Sequence, residues 1–216
     1  MTGERPQKSF LNFIKFLKKE KNLRGLDLPF KSFRALDLGA GECKNAAFLA
    51  ERGAKVFAVD ISSRSLKKAE GLYKHLDIEF INSDMLTMLS TTQDDYFDLA
   101  TDIMSSHLLS SKEREKLLKD LNRVLKNKAF LFVRTFLLDG DKNAKYLIKK
   151  YPGKENNTYI LPNFGMQEKV FTIKEFKELY LRYFDIITLK RETHYSKFNS
   201  KSYKRNYIVA YLKNRK

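Results

Sequence analysis

The segment Ala35-Leu-Asp-Leu-Gly-Ala-Gly-Glu-Cys-Lys44 constrains the fold more than any other part of the chain. A short apolar run, a glycine-rich turn and the start of an amphipathic stretch follow one another without a spacer. That order opens a strand–turn–helix unit, whose partners are parallel strands covered on both faces. Gly39 and Gly41 let a ligand approach the backbone where a side chain would block it, and the helix start beyond them offers free N–H groups. Two details argue against a dinucleotide. Lys44 stands where the G-x-G-x-x-G fingerprint has its third glycine. Asp37, beside the turn, would repel a pyrophosphate and attract an ammonium group.

The chain continues in the same alternation. Apolar runs at Phe33–Leu38, Lys55–Val59, Ile78–Ile81, Phe97–Thr101 and Ala129–Thr135 read as five strands. Helical stretches separate them: Cys43–Arg52, ending at Gly53; a helix capped by Ser62; and one opened by a Ser110/Glu113 capping box. Asp139–Val170 breaks the pattern with a polar, aromatic insertion. A helix at Thr172–Leu181 and two strand-like runs, Phe184–Leu189 and Tyr207–Leu212, close the chain. The expectation is one α/β domain over 1–216, doubly wound on a mostly parallel sheet. Within it, 1–32 form an N-terminal cap helix with an apolar face from Phe10 to Leu17, and 33–136 the ligand-binding core. Residues 137–171 form a substrate lid, and 172–216 a helix and strand pair.

Acidic residues end the successive strands. Asp60 ends the second, where a carboxylate can accept from both hydroxyls of a ribose, and Ile61 beside it can pack on a purine. Asp84, next to Met85, follows the third and can accept from an exocyclic amine. Asp37-Leu-Gly-Ala-Gly41, Val59-Asp-Ile-Ser62, Asn82-Ser-Asp84 and Tyr96-Phe-Asp-Leu99 resemble, in order, the motifs of class I S-adenosylmethionine-dependent methyltransferases, with some likeness to small-molecule and tellurite-resistance-type members in Lys44–Ala50. The resemblance covers roughly residues 33–136 and implies a Rossmann-like, doubly wound, mostly parallel seven-stranded sheet, with the tail as its reversed last strand. It implies S-adenosylmethionine as cofactor, its methionine end at Asp37, Gly39 and Gly41, its ribose at Asp60, and its adenine at Ile61, Asp84 and Met85. The family often has glycine where Cys43 stands, and Pro-Gly-Gly where Asn127-Lys-Ala129 stands. Asn127 is expected to take the left-handed conformation there. Cys43 reads either as a packing residue or as a thiol acidified by the helix start.

Methyl transfer is an in-line displacement that needs a base only when the acceptor is protonated. Asp102 and His107, after the fourth strand, are the candidates, Asp102 to touch cofactor or acceptor and His107 to take a proton. Nothing in the sequence suggests a metal site. The net charge of +16 from 42 basic and 26 acidic residues is carried by the flanks: 35–139 hold 15 basic and 16 acidic residues, whereas 186–216 hold nine and one. A lysine-rich, AT-biased genome explains part of it. The rest frames the acceptor entrance and favours a small anionic acceptor over an RNA or acidic protein, which remains the alternative. The aromatic insertion residues Tyr151, Tyr159, Phe164 and Phe171 are expected to close the pocket. The sequence has no Asn/Asp-Pro-Pro-aromatic motif for base methylation, no membrane-spanning run and no signal-peptide core, which points to the cytoplasm.

Overall fold

The computed structural model describes residues 6–21, 29–161, 164–198 and 201–216. Parts of the expected N-terminal cap and lid, including Pro162, and of the 194–205 connection lie outside these described residues.

Five strands, β1 (Arg34–Leu38), β2 (Lys55–Asp60), β3 (Ile78–Asn82), β4 (Phe97–Ile103) and β5 (Leu125–Phe136), run parallel. Two more, β8 (Phe184–Phe198) and β9 (Lys201–Asn214), complete a seven-stranded sheet of order β3-β2-β1-β4-β5-β9-β8. Only β9 is reversed: it pairs antiparallel with both neighbours. The two central strands β1 and β4 therefore meet where the order turns back, the position at which such sheets bind ligands beyond their strand ends.

The helices α1 (Lys8–Glu20), α2 (Lys44–Ala50) and α3 (Ser63–Tyr73) bring apolar residues to one face of the sheet, against Ala35, Val56, Leu99 and Phe132. The helices α5 (Ser111–Val124) and α7 (Ile173–Tyr180) cover the other, against Leu36, Val59, Leu131 and Ile208. A shorter helix, α4 (Met85–Thr91), follows β3. Ser62, Ser110 and Thr172 cap their helices as side-chain acceptors, the last two in full capping boxes. After β5 the insertion folds as α6 (Lys142–Lys150) and a small hairpin of β6 (Thr158–Ile160) and β7 (Gln167–Lys169). No helix among the described residues is long and apolar enough to cross a membrane.

α1 lies along the sheet face: Phe10 meets Phe132 at 5.8 Å between ring centroids and Phe16 meets Phe130 at 5.7 Å. Burying Phe10, Phe13 and Leu17 there stabilises the helix by about 2 kcal/mol per side chain. Of the stretch His194–Arg205, expected as the connection between the last two strands, residues 194–198 and 201–205 belong to a paired ribbon, with His194 opposite Arg205 and Tyr195 opposite Lys204. Strand β5 starts at Leu125, and the left-handed residue is Lys128 at φ 58°, not Asn127. Of the four insertion aromatics, Phe171 is buried in the core against Phe176, and Phe164 is 70% exposed.

Candidate active site

The turn after β1 is set by three left-handed residues, Gly39 at φ 64°, Gly41 at 53° and Cys43 at 57°. A side chain at Gly39 would lie 2.3 Å from the Ser105 Cβ, so the turn after β4 packs directly on this glycine. Gly41 has no atom within 4 Å of the same position; a ligand can lie flat on its backbone. Cys43 adopts the conformation that glycine would take there, keeping the turn geometry and letting α2 begin at Lys44. Its thiol is buried, and burial, with the Asp37 and Asp60 charges, pushes its pKa up to about 12. The acidified-thiol reading of Cys43 fails on that environment.

Asp37 is buried at 1% exposure in β1. Its Oδ1 accepts from the Thr101 hydroxyl at 2.5 Å, while its Oδ2 has no hydrogen-bond partner among the described residues. Burial raises its pKa from 3.8 to about 6, against the pull of Thr101 and, more loosely, of the Ala46 N–H. A buried carboxylate oxygen left unpaired beside an open glycine turn fits a cationic ammonium ligand.

Asp60 joins the ends of β1 and β2. Its Oδ2 accepts from Gly41 N at 2.8 Å and its Oδ1 from Ser62 N at 2.8 Å. Each oxygen retains a second lone pair for a hydroxyl donor. Asn82 completes the joint by donating to the carbonyls of Asp60 and Ile61 at 3.0 Å each. Ile61 is left 75% exposed, an apolar surface at the same rim. Asp84 caps α4 through one oxygen, which takes Leu86 N at 2.8 Å and Thr87 N at 3.1 Å, and Met85 packs half-buried behind it.

The structure departs from expectation at Asp102. Its Oδ1 accepts from Ser105 Oγ at 2.7 Å and from Ser106 N at 3.1 Å, and its Oδ2 from Ser106 Oγ. At 2% exposure it is turned into the loop after β4, with both oxygens engaged by that loop. It positions the loop rather than offering a contact to a ligand. Met104, left-handed at φ 58°, lies in the same turn, and such strain in a non-glycine residue gathers at functional loops.

His107 follows in a single 3₁₀ turn, Ser106–Leu108, buried with its ring edge-on to Phe136 at 5.1 Å. Its Nε2 lies 3.5 Å from Glu168 Oε1, supplied by β7, and its Nδ1 has no partner among the described residues. Tyr159 from β6 donates to the other oxygen of Glu168, and Arg205 donates to Tyr159 Oη at 3.2 Å and to Asp141 Oδ2 at 3.3 Å. Burial pushes Glu168 up, but the bonds from His107 and Tyr159 and the Arg205 charge hold it below the usual carboxylate range. Arg134 stacks on Tyr207 at 3.7 Å and pairs with Glu192 at 3.3 Å.

Asp37, Gly39, Gly41, Asp60, Ile61, Asp84 and Met85 thus share one rim along β1, β2 and β3, whereas His107 is buried against Phe136 and Glu168. Thr101, Glu168 and Arg205 escape a sequence reading, because each works by pairing with a residue remote along the chain, and Asn82 is read there only as part of a motif. A Thr facing Asp37 one strand over was the only signal available.

Comparison with known proteins agrees with this geometry. The methyltransferase-domain family model matches residues 35–128. The chain is similar to the cypemycin N-terminal methyltransferase of a Streptomyces species, 35% identical over 100 residues, a stretch covering 45% of this chain and 40% of that protein. The match therefore spans less than half of that relative. A crystal structure of an S-adenosylmethionine-dependent methyltransferase from Methanosarcina mazei superposes with a TM-score of 0.72 at 23% identity, over 85% of this chain and 93% of that one. The Burkholderia thailandensis 1,6-didemethyltoxoflavin-N1-methyltransferase, solved with 1,6-didemethyltoxoflavin and S-adenosylhomocysteine bound, gives 0.67 at 16% identity over 97% and 79%. With the motif order, the reversed strand and the glycine turn in place, residues 35–128 match the methyltransferase-domain family, and the described chain has the fold of S-adenosylmethionine-dependent methyltransferases.

Proposed function

We propose that the protein transfers a methyl group from S-adenosylmethionine to a small acceptor bearing an anionic group, and that it works in the cytoplasm. The observation that carries the reading is the pairing of an orphaned, buried Asp37 oxygen with the open backbone at Gly41. When bound, the cofactor supplies an electrophilic methyl on a positively charged sulfur. Asp37 with Gly39 and Gly41 holds its ammonium end, Asp60 its ribose hydroxyls, and Ile61, Asp84 and Met85 its base. Asp102 shapes the loop that faces the methyl group, and His107 takes a proton from the acceptor. The acids on this side give a negative field suited to a cation.

The segment 137–171 serves as the acceptor lid in this reading. Its helix α6 carries Lys142, Lys145, Lys149 and Lys150, all exposed and with no acid among them. A groove of about 690 Å³ separates it from Ser202, Tyr203 and Lys204 on the ribbon. Arg134 and Arg205 are already neutralised by Glu192 and Asp141, so the free positive charge lies on rim lysines and draws an anion in from solution. The bound heterocycle of the Burkholderia structure is a small acceptor on the same fold, which supports this size class. The buried free thiol of Cys43 suits a reducing compartment.

Calorimetry tests the cofactor: S-adenosylhomocysteine binds, a nicotinamide dinucleotide does not, and the reverse result sinks the reading. Labelled methyl groups offered with a cell extract should enter the metabolite fraction. Entry into RNA or protein instead would overturn the acceptor class.

A further inference from the structure

We propose that Arg114 is a positioning residue that locks the loop after β4 to the insertion, and that Glu155 holds Arg114 in turn, so that the insertion and the methyl-donor site order together. The proposal rests on the methyltransferase reading above and adds to it how the insertion acts on the cofactor side. Arg114, near the start of α5, is 2% exposed. Its Nη1 donates to the carbonyl of Ser106 at 3.2 Å and to that of Leu109, bracing the loop from within. Its Nη2 faces Glu155 Oε2 at 3.7 Å, and its guanidinium carbon lies 5.3 Å from the centre of the Phe171 ring. Glu155, before β6, and Phe171, after β7, both belong to the insertion.

Two carbonyls can be satisfied by a neutral donor or by water, so they do not by themselves require a buried cation. Burial draws the Arg114 pKa below its ordinary value, against the opposing pull of Tyr180, Glu155, Asp102 and Glu113. Of these acids, Asp102 is engaged by Ser105 and Ser106, and Glu113 by Ser110. Glu155 is the only carboxylate in ion-pair contact with Arg114 among the described residues. An insertion lifted from α5 would leave that cation buried without a counter-ion, which is strongly unfavourable. The braced loop and the seated insertion therefore favour one another.

The loop carries this to the glycine turn. Ser106 N donates to Asp102 Oδ1 at 3.1 Å, Ser105 Oγ reaches Asp102 Oδ1 at 2.7 Å and the Leu38 carbonyl at 2.9 Å, and Ser105 packs on Gly39. Every link from Glu155 to Gly39 is a direct contact. The seam that Glu155 crosses is polar and incompletely filled. Ser111 N donates to the two Glu155 oxygens at 2.9 and 3.1 Å, Lys169 pairs with Glu175 at 2.7 Å, and a cleft of about 410 Å³ lies between the insertion and the helices α5 and α7. Such a seam opens more readily than an apolar one, so a ligand that orders the glycine turn holds it shut. By linkage, a seated insertion strengthens the binding of that ligand by the same factor.

Hydrogen exchange of peptides from residues 150–161, followed by mass spectrometry with and without S-adenosylhomocysteine, tests the coupling. Exchange there should slow at least about threefold when the wild type is saturated. Glu155→Gln keeps an acceptor for the Ser111 N–H and removes the charge that Arg114 faces, at a side chain still 26% exposed. It should lose that slowing and bind S-adenosylhomocysteine more weakly by about the same factor. Arg114→Met should behave likewise, and Arg114→Lys, which keeps the charge, should recover part of the effect. If Glu155 does no more than cap α5, Glu155→Gln will match the wild type in both measurements, and that result overturns the proposal. So does unchanged exchange in a wild type that binds S-adenosylhomocysteine. A wild type that does not bind it sinks the methyltransferase reading, and this inference with it.

Discussion

Burial lifts the Asp37 carboxyl from 3.8 to about 6, which corresponds to about 3 kcal/mol of destabilised anion at neutral pH. The folded-state value lies above the unfolded one, so this cost is absent below about pH 4 and grows as pH rises to about 6. Asp37→Asn should therefore raise the unfolding free energy by up to about 3 kcal/mol at pH 8 and change little at pH 3.5, as denaturant titration would show. The same variant should bind S-adenosylhomocysteine more weakly. At Asp60 stability and binding fall together: Asp60→Ala strips the partner from two backbone N–H groups and should cost about 1 to 2 kcal/mol besides at least a tenfold loss of affinity in calorimetry. Cys43, buried and raised to about 12, should react with thiol reagents at pH 7.5 only as fast as the chain unfolds. The acids along this rim could be read in sequence because each sits in a fixed motif at a strand end. The inward turn of Asp102 could not, since it depends on where Ser105 and Ser106 fold back.

The two glycines of the β1 turn differ in what surrounds them, although the sequence presents them alike. Gly39→Ala drives a methyl group into Ser105 in a left-handed backbone and should destabilise by at least about 2 kcal/mol in thermal or denaturant unfolding. Gly41→Ala meets open space, should cost about 1 kcal/mol, and should lose more in cofactor affinity than in stability. Helix caps were legible where they are local: Ser62, and Ser110 with Glu113, each satisfy N–H groups within one turn. The outer ribbon was not. Its residues 194–198 and 201–205 pair with one another rather than with the core, so no alternation of apolar and polar residues marks them as strands. The insertion hid its hairpin for a similar reason, with only three residues in each strand.

Across the whole molecule the charge is segregated, with a balanced core and a basic rim on α6 and the ribbon. If that field draws in the acceptor, its KM should rise steeply with ionic strength while kcat stays constant, measured between low and physiological salt. The parallel core was legible from the order of strands and helices, and the reversed last strand from the family resemblance. The direction of α1 was not, because an amphipathic helix fits a sheet face as well as a sheet edge. Strand β8 has a neighbour on one side only and runs from Phe184 to Phe198. The exposed Lys190, Arg191 and His194 along it and its register shift between Ile186 and Thr188 guard a long open edge against pairing with another chain. The basic residues of this ribbon therefore do double duty. Replacing them with neutral residues to probe the acceptor would also uncover an adhesive strand, so charge-preserving exchanges of lysine and arginine are the sounder way to keep the protein in solution.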